Sequence, residues 1–303
     1  MPLRERFDAL PGPVRGVCWM LASGVSLTLM AAIVRHMSAE LHTFQIALFR
    51  SALGLVFMAP WLIRNRMSGM RTDKIPWYML RAVATCIASL GFFYALGEIP
   101  LADAVAIMFS RPLYGTVFAV VFLGEIVGAR RWVAVAVGFA GVLVMVRPGF
   151  EAVNLGLVSV FVASIAGAAA AVLIRYLSRT ESPDTITMYY AVFTTPVMVI
   201  PAIVFWIDPT WEQVGWLVLM GLLGTIGQRA MSRGFAAADA SLMLPVDFCR
   251  LIFAALFGFF LFAELPSVYT AVGAALIFAA TVYIARRGTA GSRGSGAGRA
   301  ERE

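Results

Sequence analysis

The chain has 303 residues, of which 60% are hydrophobic and 14% charged, with a formal net charge of +7. A soluble domain carries about 25% charge. With a mean hydropathy of +0.84, the composition excludes a disordered chain, a collagen-like fibre and a disulfide-rich module, and argues against a soluble enzyme, whose surface has no room for so much apolar area.

A membrane-crossing helix needs about 20 mostly apolar residues, and such windows recur along the chain. Residues 16–34 carry no charge, 44–63 carry Arg50, 77–97 carry Arg81 near the start, and 104–124 carry Arg111. Residues 132–146 form the shortest window, bounded by Arg131 and Arg147. Windows 152–174 and 185–207 are uncharged, as is 213–228, which continues toward Gly234. Window 240–263 carries Asp247 and Arg250, and 265–285 carries nothing charged. All are apolar on every face, as spanning helices are, and lack the alternation of barrel strands. The expected fold class is an all-α integral membrane protein with ten transmembrane helices.

Charge sets the direction of the crossings. Nineteen of the 24 basic residues fall on the N-terminal side, two (Arg35 and Arg147) on the opposite side, and three (Arg50, Arg111, Arg250) within spans. That bias predicts a multi-pass protein of the cytoplasmic (inner) membrane with both termini in the cytoplasm. It also accounts for the positive charge without nucleic acid. The seven tryptophans fall near span ends, where such rings favour the headgroup zone. The first window shows no clear secretory cleavage site. Segment 1–13 reads as a cytoplasmic N-terminus, and the Gly/Ser/Ala/Arg-rich residues 287–303 as a flexible cytoplasmic tail. Cys18, Cys86 and Cys249 have neither metal-ligand nor disulfide spacing.

The chain also repeats itself. At an offset of 139, Phe109-Ser110-Arg111 sits opposite Phe248-Cys249-Arg250, Leu123-Gly124-Glu125 opposite Phe262-Ala263-Glu264, and Arg147 opposite Arg286. A slip of three residues adds Ala102-Asp103-Ala104 opposite Ala238-Asp239-Ala240. The halves are then 14–147 and 152–286, five spans each. An odd number of spans turns the second half upside down, which gives two inverted five-helix repeats, an arrangement common among secondary transporters.

Over residues 16–286 the sequence resembles the EamA-type ten-helix members of the drug/metabolite transporter superfamily. The resemblance rests on Phe49-Arg50, on Tyr94 through Asp103 and on Pro112-Leu113 through Leu123-Gly124-Glu125. It rests further on Gly138 through Leu143, Pro245, Phe262 through Pro266 and Gly273 through Ile277. It implies two inverted bundles around a central cavity lined largely by spans four and nine, and substrates such as riboflavin, S-adenosylmethionine, amino acids, sugars or drugs. Arg111 and Arg250 depart from the commoner family pattern, which has neutral residues there.

Those two arginines lie about 10 Å or more from either end of their spans. A guanidinium near the bilayer centre costs about 2.5–3.5 kcal/mol on the insertion scale. It stays charged and presents a planar fork that matches carboxylate or phosphate. Arg111 and Arg250 therefore read as a basic pair in a central cavity, binding an anionic part of a substrate. The structural alternative is a bridge to backbone carbonyls or to Asp247. Asp247, three residues before Arg250, either neutralises that arginine or takes up a proton during transport; the static pair is favoured. Arg50 is either a site residue or an outward-snorkelling anchor. Glu125 and Glu264 end spans four and nine on opposite sides, as helix-end partners or gates. Asp103 and Asp239 read as N-cap or first-turn acids. Pro112, Pro196, Pro201 and Pro245 favour kinks. Tyr94, Tyr114 and Gln228 are candidate cavity-wall residues.

The leading reading is a secondary transporter that moves a small polar or anionic metabolite by alternating access. An integral-membrane enzyme would need a catalytic cluster, and a channel would show rings of like charge or a filter; neither pattern is evident. No nucleotide-binding loop, cofactor or metal is expected. The expected partners are a small-molecule substrate and the lipid bilayer, without nucleic acid; a homodimer is compatible with the sequence.

Overall fold

A bilayer offers no water to backbone N–H and C=O groups, so an apolar chain must pair them internally. The computed structural model describes residues 10–64, 72–123, 128–146, 154–177, 180–181, 183–237, 243 and 246–300. Their regular structure is helical throughout: α1 (Gly12–Met37), α2 (Thr43–Arg64), α3 (Ile75–Glu98), α4 (Leu101–Met108), α5 (Arg111–Leu123), α6 (Ala129–Val146), α7 (Leu155–Leu177), α8 (Pro183–Val204), α9 (Trp211–Ala237), α10 (Cys249–Phe262) and α11 (Val268–Ala300). Five segments are long and apolar enough to cross a membrane, and five shorter apolar helices complete the set of ten. Span four is the combined α4 and α5. Glu125, Asp239 and Pro245 lie outside the described residues.

Helix starts use proline where its missing N–H costs nothing. Pro11 and Pro100 are the N-caps of α1 and α4, and α1 and α3 each have proline in their first two positions. Asp103 sits in the first turn of α4. Pro196 and Pro201 are accommodated inside α8. Within the spans, Thr28, Thr85, Thr116 and Thr225 each donate to the carbonyl four residues back, so no hydroxyl among them faces hydrocarbon unpaired. Helix α11 runs on to Ala300 through the stretch that composition reads as a flexible tail. Propagation from a packed span adds one hydrogen bond per residue.

The packing is paired as two repeats require. The most extensive contacts are α1 with α9 and α3 with α7. These two pairs exchange when the halves are swapped. The same exchange relates α2–α9 to α3–α8, and α5–α7 to α1–α10. Pairs α6–α11 and α2–α8 map onto themselves. Met20, Met37, Leu96, Leu101, Ile107 and Leu217 are fully buried between helices. Phe122, Ile200, Val204 and Phe260, by contrast, are each more than 70% exposed. Apolar rings and branches on the outside suit acyl chains; in water they would form an association-prone surface.

Among the described residues, one non-glycine backbone position is strained. Ala263 ends α10 at φ 55° and ψ 32°, the left-handed region, with its N–H on the Phe259 carbonyl and the Glu264 N–H on the Gly258 carbonyl at 3.0 Å. Such a helix end favours glycine, and the residue at the matching position of the first half is Gly124. Ala263→Gly is expected to stabilise the protein by about 0.5–1 kcal/mol, read as a higher thermal midpoint in detergent. An unchanged or lower midpoint would show that neighbouring contacts already relieve the strain.

Candidate substrate site

Spans four and nine are both interrupted, at equivalent residues. Helix α4 ends at Met108, Phe109 and Ser110 make a tight turn, and α5 restarts at Arg111. The Phe109 and Ser110 N–H groups reach back three residues, to Ala106 and Ile107, at 3.1 and 2.9 Å. Pro112 has no N–H to give Met108, which forces the break. Ser110 and, from α7, Ser164 both donate to the Ile107 carbonyl, at 2.6 and 3.2 Å. Neighbouring hydroxyls thus bond the carbonyl next to the break, alongside the Ser110 N–H. In span nine Phe248 is the turn residue before α10. The rings of Phe109 and Phe248, 139 residues apart, stack at 4.2 Å between centroids and 25° between planes. A residue that meets its own repeat mate in this way sits on the axis relating the halves. A single stacked pair contributes about 0.5–1.5 kcal/mol.

A cavity of about 170 Å³ surrounds this stack. Its apolar wall comes from Phe92, Val105, Met108, Phe109, Pro112 and Phe248, and its polar wall from Arg111, Asp247, Arg250 and Thr281. Both in-span arginines expected to share a cavity do so, on half-helices that begin beside them. Arg111 keeps accessible surface in the middle of the bundle, as a residue facing a hydrated void does. The Nε of Arg250, Oδ1 of Asp247 and Oγ1 of Thr281 are buried, with no hydrogen-bond partner among the described residues.

The two arginines are not equivalent. Three residues before each, on the same helix run, stands the side chain beside its guanidinium. For Arg250 this is Asp247, whose Oδ1 is 3.7 Å from Nη1, an ion pair too long to be a hydrogen bond. For Arg111 it is Met108, whose Sδ accepts from Nη2 at 3.5 Å. Positions 108 and 247 are repeat mates. The cavity therefore holds two guanidiniums and one carboxylate, with the uncompensated charge on the Arg111 side. The Arg250 guanidinium also lies 5.6 Å from the Phe109 ring centre.

Other expected residues lie elsewhere. Arg50 points between α1 and α9, its Nε 3.3 Å from the Met30 sulfur. Tyr114 packs edge-on against Phe139 at 5.1 Å. Tyr94 is half-buried on α3 and Gln228 is exposed on α9. None of these four lines the cavity. Phe92, Val105, Met108, Phe109, Phe248 and Thr281 do, and were not singled out individually from sequence. The signal for Phe109 and Phe248 was present in the repeat itself.

Glu264 closes the far end of α4. Its Oε2 accepts the N–H of Leu101 at 3.0 Å, and its Oε1 pairs with Arg35. Arg35 also donates to the Leu96 carbonyl at 2.7 Å and to the Ile99 carbonyl. The ends of α1, α3 and α10 meet here, so these three spans finish on the same side. On the other side Thr72, Lys74 and Tyr78 bond to Thr180 and Glu181.

The sequence model of one transporter family matches the chain twice, over residues 14–147 and 154–286, and is described as the EamA-like transporter family. The chain belongs to that family. This EamA-like transporter is 27% identical over 277 residues to an S-adenosylmethionine uptake transporter of Rickettsia prowazekii, covering 91% of this chain and 94% of that one. It is 29% identical over 288 residues to a riboflavin transporter of Vibrio cholerae (93% and 96% covered), and 27% identical to a pseudopaline exporter of Pseudomonas aeruginosa (89% and 96%). A solved crystal structure shares its fold at a TM-score of 0.61 and 17% identity, over 89% of this chain and 98% of that one. The EamA-like chain is thus a multi-pass membrane transporter of small metabolites, not an enzyme.

Glu264 separates charge from capping. Glu264→Gln keeps an acceptor for the Leu101 N–H and loses the ion pair; Glu264→Ala loses both. Both are expected to destabilise the protein, Glu264→Ala by about a further 1 kcal/mol, the worth of a helix cap, read as a lower thermal midpoint. Equal midpoints would mean that Glu264 does not cap α4.

Proposed function

We propose that this transporter carries a small metabolite with an anionic group through the cavity shared by Arg111 and Arg250, the two halves rocking around it in alternating access. One observation carries the reading: two guanidiniums from equivalent positions of the two halves line one mid-bundle cavity whose wall holds buried polar atoms free to bond a ligand. Arg111, with only a thioether beside it, takes the anionic group in a charge-assisted contact. The Arg250–Asp247 pair offers a donor and an acceptor to a neighbouring polar group, and an amino-acid-like headgroup with both charges suits that lining. S-adenosylmethionine and riboflavin, named for relatives, are the first compounds to screen. Cytoplasmic termini follow from the charge bias. Arg35 and Glu264 then face away from the cytoplasm and act as a gate on that side.

Binding to the purified protein, read by thermal shift against a panel of anionic metabolites, flavins, nucleoside derivatives and amino acids, identifies the ligand. The same preparation's mass distinguishes a monomer from a homodimer. Arg111→Ala is expected to weaken binding about 10- to 100-fold, the loss of a hydrogen bond to a charged group, and to abolish transport into vesicles with expression intact. Arg250→Ala is expected to abolish transport as well. Full transport by both variants would remove the cavity from the pathway. Saturable counterflow separates a carrier from a channel. For the gate, a Cys substituted for Thr281, in a chain lacking Cys18, Cys86 and Cys249, is expected to react faster with an impermeant maleimide from the non-cytoplasmic side when Glu264→Gln is added. Unchanged labelling denies Arg35 and Glu264 that role.

A further inference from the structure

All three arginines that sequence places within spans lie against a glycine of the opposite half. A Cβ on Gly167 of α7 would stand 2.8 Å from Nε and 3.1 Å from Cζ of Arg111. A Cβ on Gly24 of α1 would stand 3.1 Å from Cγ of Arg250 and equally 3.1 Å from the Phe253 ring, and one on Gly224 of α9 would stand 2.5 Å from Nε of Arg50. Gly24 and Gly167 each lie on the first helix of their half, about one helical turn apart in repeat register, since the offset of 139 sets Gly24 opposite Ala163. The pattern thus recurs across the repeat, with each partner taken from the other half.

We infer that Gly167 is a positioning residue for Arg111, and Gly24 its counterpart for Arg250: a helix backbone without Cβ forms the flat seat on which an arginine of the opposite half lies to reach the cavity. Glycine permits this close approach because nothing projects from the helix surface. At Gly167 the atoms a Cβ would meet belong to the far end of a flexible side chain. Alanine there displaces the guanidinium and leaves the helices in place. Gly91 offers the contrast: its Cβ would meet the Ser159 backbone oxygen at 2.6 Å. There alanine forces α3 from α7 and no arginine is involved. Because the seat belongs to one half and the arginine to the other, any rocking of the halves moves one across the other.

The inference rests on the cavity being the transport site, yet its test needs no substrate, so failure of one is distinguishable from failure of the other. The purified protein is treated with phenylglyoxal, which modifies guanidiniums, and the rates at Arg111 and Arg250 are followed by peptide mass spectrometry. Gly167→Ala is expected to speed modification of Arg111 severalfold and leave Arg250 unchanged, with the thermal midpoint nearly preserved. Gly24→Ala is expected to act on Arg250 alone and more weakly, because its contact is to the stem. Gly91→Ala is expected to lower the thermal midpoint and change neither rate. An Arg111 rate in Gly167→Ala that is equal to or below the wild-type rate, no reaction in either included, overturns the seat. So does a parallel rise at both arginines. If Gly167→Ala proves unstable, adding Arg111→Ala is expected to restore the midpoint by emptying the seat; no recovery also overturns it.

Discussion

A guanidinium cannot be left in hydrocarbon, and two of them stand near the middle of this protein's spans. Each costs about 2.5–3.5 kcal/mol on the insertion scale, and arginine does not escape by losing its proton. The surrounding architecture answers that cost. Spans four and nine break beside their arginines, and the breaks open onto a cavity rather than lipid. The Ile107 carbonyl beside the break in span four also accepts from the hydroxyls of Ser110 and Ser164. A protein needing only a membrane anchor would place leucine at both positions; keeping two arginines there makes sense when the charge itself is used.

The internal repeat supplies the geometry, and its departures supply the chemistry. Stacking Phe109 on Phe248 brings equivalent positions together, and the mates Arg111 and Arg250, like Met108 and Asp247, line one shared void. A strictly symmetric pair of arginines would give a doubly positive site. Exchanging Met108 for Asp247 breaks that symmetry and lowers the net charge by one. A purely symmetric cavity presents the same face to a ligand from either half; this one distinguishes its two ends.

Much of this was legible in the sequence, for a physical reason. Apolar length and charged residues carry large transfer free energies, so the ten spans, the repeat offset and the Arg111–Arg250 pair show through composition and spacing. Helix faces did not show. A helix apolar all round has no polar stripe to mark which side meets a neighbour, and so Tyr94, Tyr114 and Gln228 were placed at the cavity while Phe92 and Thr281 were not. Pro112 signalled the break in span four, but nothing in spacing signalled Ser164, which bonds the Ile107 carbonyl there from another helix. The bond between Arg35 and Glu264 joins residues 229 apart. Spacing alone does not choose a partner at that separation.

Helix α4 links these features mechanically. At 1.5 Å per residue its eight residues span about 12 Å. One end is held by Glu264 and Arg35; the other delivers Met108 and Phe109 to the cavity. Seven of its eight residues are buried, and close packing of that kind transmits strain along a helix this short. On the proposed reading, a ligand that drew the cavity walls together would pull on the Leu101 N–H and on the Glu264 carboxylate that receives it. Site and closure would then be coupled through these eight packed residues in both directions, as linkage between two sites requires.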